Sequence, residues 1–407
     1  MSDSQGVQYG SRSYWFATIA LAVGSFMIFS NVYVTQPLLP MLAADFEITP
    51  LEASLSMTVV TLMLGISLPI YGALSDVLGR RGLMLGSMAG VLLVSLLLSQ
   101  VDSFSELLWL RALQGLCLGG LPAIAIAYMG DEFSHRALVS AVGVYIAGNT
   151  LGGLGGRLIG GFTGEWLGWS PVFLVMTLVC FICLSVSAYL LPASQRFEAQ
   201  SLRPKRMVAD LAGHLRNPIL LMAYLIGGLN FFIFINQFSF IVFVLAEAPY
   251  SLSPKWLGML FLTYLAGTLG SSVSGSLVAR FGQVPVMALG IVCLMVGTLV
   301  TLSDELNIIL CGFLINAFGF FVSHSCASGW VSQNAKVARA SASSLYLVFY
   351  YVGASTGGFY LHLFWEWRAW QGIVIGSLMV LAVTLTLCGC LGLYRKTHMA
   401  RGALSQG

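Results

Sequence analysis

The chain has 407 residues, of which 57% are hydrophobic and only 9% charged, and its mean hydropathy is +0.87. Soluble domains carry roughly a quarter charged residues. This composition therefore excludes a water-covered fold and makes lipid the solvent for most of the surface. The formal charge of +3 is small, so the distribution of charge matters more than its total, and no nucleic-acid partner is expected.

In chain order, twelve runs are long and apolar enough to cross a bilayer as helices, each needing about 20 apolar residues. They span 14–39, 53–74, 82–100, 107–129, 138–162, 170–192, 218–245, 256–278, 284–302, 306–330, 341–364 and 371–394. Strands of a membrane barrel would instead alternate in polarity over about ten residues. The first run is too long for a signal-peptide core and no small-residue cleavage site follows it, so it is expected to remain. With both termini inside, fifteen of the nineteen Lys and Arg residues fall in cytoplasmic loops and only Lys255 and Arg368 in outer ones. Arg111 and Arg157 lie within spans. This asymmetry predicts a multi-pass protein of the inner (plasma) membrane with cytoplasmic termini.

The longest polar stretch, 193–217, holds Arg196, Arg203, Lys205, Arg206 and Arg216. It divides the chain into a six-helix bundle (1–192), a cytoplasmic linker (193–217) and a second six-helix bundle with a short cytoplasmic tail (218–407). Residues 207–215 read either as a short amphipathic helix on the membrane surface or as plain linker. The expected fold is thus all-α: twelve transmembrane helices in two pseudosymmetric six-helix bundles. The eight cysteines sit in apolar runs without metal-type spacing and read as small apolar fillers.

The halves repeat. Phe26–Asn31 reappears as Phe231–Asn236, 205 positions later, and Gly72–Gly79 as Gly275–Gly282, 203 later. Arg136–Ser140 returns as Arg339–Ser343, again at 203, and Glu165–Trp169 as Glu366–Trp370 at 201. Two parallel six-span halves are an architecture used by transporters, with a site near the midplane.

The turn after span two reads Gly72-Ala-Leu-Ser-Asp76-Val-Leu-Gly79-Arg80-Arg81. Its glycines permit a tight turn, and its acid is placed for a helix N-terminus or an arginine. It resembles the signature between helices two and three of the major facilitator superfamily. That resemblance implies a cytoplasmic gate latched by Asp76, Arg80 and Arg81, which Glu132 and Arg136 would join at i,i+4 spacing. Val77 departs from the pattern, and the second copy has Ala279 where the acid stands. Span four carries Leu108-Trp-Leu-Arg111-Ala-Leu-Gln114-Gly115, similar to a second superfamily motif whose arginine is implicated in proton coupling. Arg111 also lies near the outer edge of its span, where snorkelling is the alternative. In span five, Gly143, Gly152, Gly156, Gly160 and Gly161 resemble the motif of drug:proton antiporters of the acriflavine-sensitivity exporter type, with Arg157 where those proteins usually have Pro. Glycines 148, 152, 156 and 160 form a stripe on which another helix can pack closely. Arg157 shares a face with Asn149 and Gly153, a candidate wet stripe.

Polar residues on apolar spans supply the substrate candidates. They are Asn31, Tyr33 and Gln36 in span one; Asn149 and Arg157 in span five; Asn230, Asn236 and Gln237 in span seven; Asn316 and His324 in span ten; Tyr346 and Tyr350 in span eleven. Asn31 and Asn236 are expected at equivalent positions. Together they suit a flat or amphipathic molecule held by stacking and a few hydrogen bonds. All sixteen acids lie at span ends or in loops, so the buried carboxylate common in cation exporters is missing. Coupling candidates are His324, since imidazole is the side-chain type whose ordinary charge change falls near neutral pH, and Arg111 or Arg157 acting through a substrate anion.

The function expected is secondary transport by alternating access, with the resemblance implying proton-coupled efflux of small organic compounds by a monomer. Uptake or efflux of a sugar or organic acid is the alternative, and a non-transporting membrane sensor a more distant one. Neither Gly-x-x-x-x-Gly-Lys-Ser/Thr, His-Glu-x-x-His nor Gly-x-Ser-x-Gly occurs, so no ATP-driven, metal or hydrolase chemistry and no cofactor is expected.

Overall fold

A computed structural model describes residues 6–197, 199 and 204–404; Arg203 of the linker lies outside the described residues. No β-strand occurs among them, and an isolated bridge joins Val7 to Phe133. Helix α1 (Arg12–Tyr33) is capped by Ser11, whose hydroxyl accepts from the Tyr14 amide at 3.1 Å. Proline 37, which lacks an amide hydrogen, sits in the 3-10 turn (Gln36–Leu38) that separates α1 from α2 (Leu39–Asp45). A capping box of Thr49 and Glu52 opens α3 (Pro50–Leu78), and Gly79, at φ +95°, ends it. The first half continues with α4 (Arg80–Leu98), α5 (Phe104–Leu118), α6 (Gly120–Glu132), α7 (His135–Leu167) and α8 (Trp169–Leu190). Then come α9 (Pro204–Arg216), α10 (Pro218–Ala246), α11 (Pro254–Leu260), α12 (Tyr264–Phe281), α13 (Gln283–Val300), α14 (Leu306–Asn334) and α15 (Arg339–Leu404). The linker segment over 207–215 is thus helical, inside α9.

Among the described residues, eleven helical stretches are long and apolar enough to cross a membrane. The last, Ser341–Tyr394, runs for 54 residues, about 81 Å at 1.5 Å per residue against an apolar core of about 30 Å. Its helical geometry fails at Arg368 and Ala369, so it makes two crossings and brings the number to twelve. The spans lie where the hydropathy places them.

By packing, the chain resolves into two compact units: residues 1–202 with 245–261, and 203–244 with 262–407. The stretch 245–261, expected with the second bundle, packs with the first, because α11 lies on α7 through facing glycines. A Cβ on Gly161 would stand 3.1 Å from Gly258 Cα.

In the first unit the predicted glycine stripe meets the backbone of α1. Gly148, Gly152, Gly156 and Gly160 face the carbonyls of Ala22, Phe26, Ser30 and Val34, a constant register of 126 residues. A Cβ on Gly156 would fall 2.6 Å from Ser30 Cα, so no larger residue fits without parting the helices. The second unit repeats the contact: Gly353 faces the Gly228 carbonyl and Gly357 that of Phe232. These glycines lie 201 positions after Gly152 and Gly156, and their carbonyl partners 202 after Phe26 and Ser30.

The repeat extends to helix ends. Gly79 and Gly282 both close helices at positive φ (+95° and +85°), 203 positions apart. Gly168, at φ +85°, separates α7 from α8, and 201 positions later the break falls on Ala369, at φ +42°. A Cβ makes that conformation costly, by about 1–3 kcal/mol. Ala369→Gly is therefore expected to raise the unfolding temperature of the detergent-solubilised protein, by relief of about 1 kcal/mol or more net of the added chain entropy. A lower unfolding temperature would contradict the strain.

Candidate functional site

The buried polar side chains of each unit fall into distinct clusters. In the first unit, Asn31 is fully buried, and its Oδ1 accepts from Ser95 Oγ (3.0 Å) and Gln114 Nε2 (3.1 Å). Its amide donates to Met27 O (2.9 Å) and Cys180 Sγ (3.1 Å), and Gln114 also donates to Ser95 Oγ at 2.9 Å. The three form an amide–hydroxyl clasp joining α1, α4 and α5. The second unit has the same clasp. Gln237 Oε1 accepts from Asn316 Nδ2 (2.7 Å) and Thr298 Oγ1 (3.4 Å), and Asn316 also donates to Thr298 Oγ1 at 3.1 Å. Thr298 follows Ser95 by 203 positions and Asn316 follows Gln114 by 202.

The counterpart of Asn31 is accordingly Gln237, displaced one turn along α10, and not Asn236 as expected. Asn236 donates to Phe232 O and Ala354 O, both at 2.9 Å, at the packing of α10 on α15. The sequence match at offset 205 ran across two faces of the helix. Ser95 and Thr298 escaped the sequence reading because one hydroxyl in an apolar run carries no signal; the repeat offset would have exposed the pair.

Arg111 has 0% exposure, which rules out snorkelling. It lies inside the unit because α1 ends beside it and leaves carbonyls without helical partners. Its Nη1 donates to Asn31 O (2.8 Å) and Gln114 Oε1 (2.5 Å). Nη2 donates to Val32 O (2.9 Å) and Thr35 Oγ1 (3.5 Å), and Nε to Ser56 O (3.2 Å). A guanidinium has five N–H bonds, and all five are engaged. Arg111 clamps the end of α1 to α3 and presents no spare donor for coupling.

Arg157 is 1% exposed and not part of a wet stripe. Its guanidinium carbon lies 4.1 Å from the Tyr33 ring centroid and 4.4 Å from that of Phe261. Nε donates to Gln36 Oε1 at 2.8 Å, and Nη1 to Gly153 O at 2.9 Å. Tyr33, Gln36 and Arg157 are thus brought together, and Phe261, at the end of α11, joins them. Asn149 stands apart, its Oδ1 bound by Ser25 Oγ.

In the second unit, His324 lies in an aromatic array. Its Nδ1 is 2.9 Å from Tyr346 Oη, and its ring is 4.9 Å from Tyr350 and 5.8 Å from Phe320. Phe231 stacks on Tyr350 at 3.7 Å and Phe234 on Phe320 at 3.9 Å. Asn230 donates to Ser323 Oγ at 2.8 Å, while its Oδ1 is buried without a partner. The two candidates of span ten are divided: Asn316 serves the clasp, and His324 joins the aromatic array beside Phe320.

At the arginine-rich end, Arg80 binds Asp76 at 3.2 Å and, more closely, Asp131, which the sequence reading missed. Arg81 donates to the last carbonyls of α8, Leu191 O (2.8 Å) and Ala188 O (2.9 Å). Glu132 and Arg136 do not pair, because the chain turns extended at Phe133 and Ser134 and breaks the i,i+4 geometry. Glu132 instead accepts from the amides of Gln195 (2.8 Å) and Arg196 (3.0 Å), and Arg136 stacks on Tyr9 at 5.1 Å.

The chain is 36% identical to the uncharacterised transporter YybF of Bacillus subtilis, over 95% of both chains. It is 34% identical to the inner membrane transport protein YnfM of Escherichia coli, covering 97% of this chain and 94% of that one. The multidrug resistance protein MdtG of Citrobacter koseri matches at 28% over about half of each chain (51% and 52%). The crystal structure of the human organic anion transporter MFSD10 shares the fold at a TM-score of 0.68 and 18% identity, covering 92% of this chain and 99% of that one. These relatives are transporters and not enzymes. With the family profile matching residues 21–358, the twelve spans and the internal repeat have one explanation: the chain belongs to the Major Facilitator Superfamily.

Proposed function

We propose that this transporter is a proton-coupled exporter of small amphipathic organic compounds, working as a monomer by alternating access in the inner membrane with both termini cytoplasmic. The observation that carries the reading is His324, an imidazole set among Phe231, Phe320, Tyr346 and Tyr350 on the spans of the second unit. Aromatic faces bind flat apolar molecules, and an imidazole beside them lets protonation and ligand occupancy compete. The partial similarity to a multidrug resistance protein and the span-five glycines support efflux. The uneven distribution of Lys and Arg supports the orientation, and YnfM, named an inner membrane protein, supports the location. In this reading Arg157, Tyr33 and Gln36 contribute a second polar contact, and the Asp76–Arg80–Asp131 cluster latches the cytoplasmic gate. An organic-acid substrate is the second reading, favoured by the guanidinium of Arg157 within a span.

Sealed inverted vesicles with an imposed proton gradient test this with cationic, neutral and anionic compounds. Neutral or weakly charged amphipathic compounds should accumulate. His324→Ala should abolish gradient-driven accumulation yet retain compound-for-compound exchange, since it removes the proton carrier and leaves the stacking surface. Full gradient-driven transport by that variant would remove His324 from the mechanism, and transport of carboxylates alone would favour the organic-acid reading.

Arg111 serves packing and not coupling. Arg111→Leu leaves the carbonyls of Asn31, Val32 and Ser56 buried without their donors, each costing about 1–3 kcal/mol. The expected result is loss of monodisperse protein on size-exclusion chromatography. A folded variant with altered coupling alone would contradict the clamp.

A further inference from the structure

Within the second unit, α9 borders a half-open cavity of about 480 Å³. Its walls are one face of α9, the first turn of α10 and the segment joining α14 to α15. His214, 8% exposed, fixes the wall: its Nε2 lies 3.3 Å from the carbonyl of Ala338, a residue at φ +45°. Asp210 and Lys336 both line the space, and neither forms an ion pair among the described residues. Two amides join them. Asn217 uses its Oδ1 to cap Ile219 N at 3.1 Å, which leaves its NH₂. Asn334 uses its NH₂ on Trp330 O at 2.9 Å, which leaves its carbonyl oxygen. The cavity therefore offers a cation and an amide donor alongside a carboxylate and an amide acceptor. Its floor is apolar, at Ile219 and Leu220, where the span Pro218–Ala246 begins.

We propose that this cavity binds the headgroup of a zwitterionic phospholipid bearing a primary ammonium, phosphoethanolamine in chemistry, with its acyl chains following the first turns of α10. The phosphate pairs with Lys336 and the Asn217 amide; the ammonium donates to Asp210 and the Asn334 carbonyl. The cavity stands at the end of a span and beside an amphipathic helix, where headgroups lie. A choline headgroup has no N–H to give Asp210, and a glycerol headgroup places net negative charge against it. The inference depends on the chain spanning a membrane and not on efflux or proton coupling.

The test is lipid retention by native mass spectrometry on the delipidated full-length protein, titrated with phosphatidylethanolamine, phosphatidylcholine or phosphatidylglycerol. One phosphatidylethanolamine should bind about tenfold more tightly than either other lipid, the worth of roughly one charge-assisted hydrogen bond. Asp210→Asn should erase the preference over phosphatidylcholine, and Lys336→Gln should weaken both zwitterionic lipids. Gly213→Leu is the independent probe: a Cβ there meets nothing within 4 Å, so the variant folds while its side chain occupies the cavity. It should lose the tight lipid without losing unfolding temperature. Equal retention of the three lipids by the native protein, or tight phosphatidylethanolamine on Gly213→Leu, would overturn the proposal. Displacement of the lipid by free phosphoethanolamine at matching concentration would assign the cavity to a soluble zwitterion and overturn the lipid source.

Discussion

The structure depends on backbone meeting backbone between α1 and α7. Helices in a bilayer gain little from burying apolar side chains against each other, because lipid is equally apolar, so close packing must supply the attraction. Four glycines one turn apart bring α7 onto the carbonyls of α1 and fix its register. Two buried polar sets in the first unit use the end of the helix that this contact holds. The register sets the frayed end of α1 before Arg111, so that Asn31 and Val32 find donors. It also sets Tyr33 and Gln36 before Arg157. A slip of one residue would turn both sets of partners away.

The second unit keeps the scaffold and changes the chemistry. Its glycine contacts and amide–hydroxyl clasp repeat those of the first unit, but the position 202 after Arg111 is Phe313. There a buried ring packs 4.5 Å from Phe238 in place of a guanidinium. Likewise the position 201 after Arg157 is Gly358, beside the amide of Asn236. The first unit thus carries the fixed cations, and the second the stacked rings and the imidazole. Duplication preserved what packing requires and left the polar content free to diverge.

Much of the fold was legible because spans, loops and the repeat are written in composition and spacing. The glycine stripe was legible because four residues at i+4 intervals have one geometric meaning. Partners were not. The spacing of Asn31 and Asn236 suggested equivalence, yet a hydrogen bond depends on which face meets which neighbour, and the register assigns that role to Gln237. Arg111 looked like a residue at the edge of its span, since nothing local announces that another helix ends beside it. Glu132 and Arg136 looked paired, since the extended turn at Phe133 carries no strong breaker. Residues that act through distant backbone leave no periodic trace.

Glycine-mediated contact of α7 with α1 holds the first unit together, and thermal unfolding of two single substitutions tests this directly. Gly143 and Gly156 lie on the same helix; a Cβ at Gly143 meets nothing within 4 Å, whereas one at Gly156 enters the Ser30 backbone. Gly143→Ala should be neutral or stabilising by up to about 1 kcal/mol, from helix propensity alone. Gly156→Ala should lower the unfolding temperature sharply, with overpacking worth about 1–3 kcal/mol or more. Equal unfolding temperatures for the two variants would contradict it.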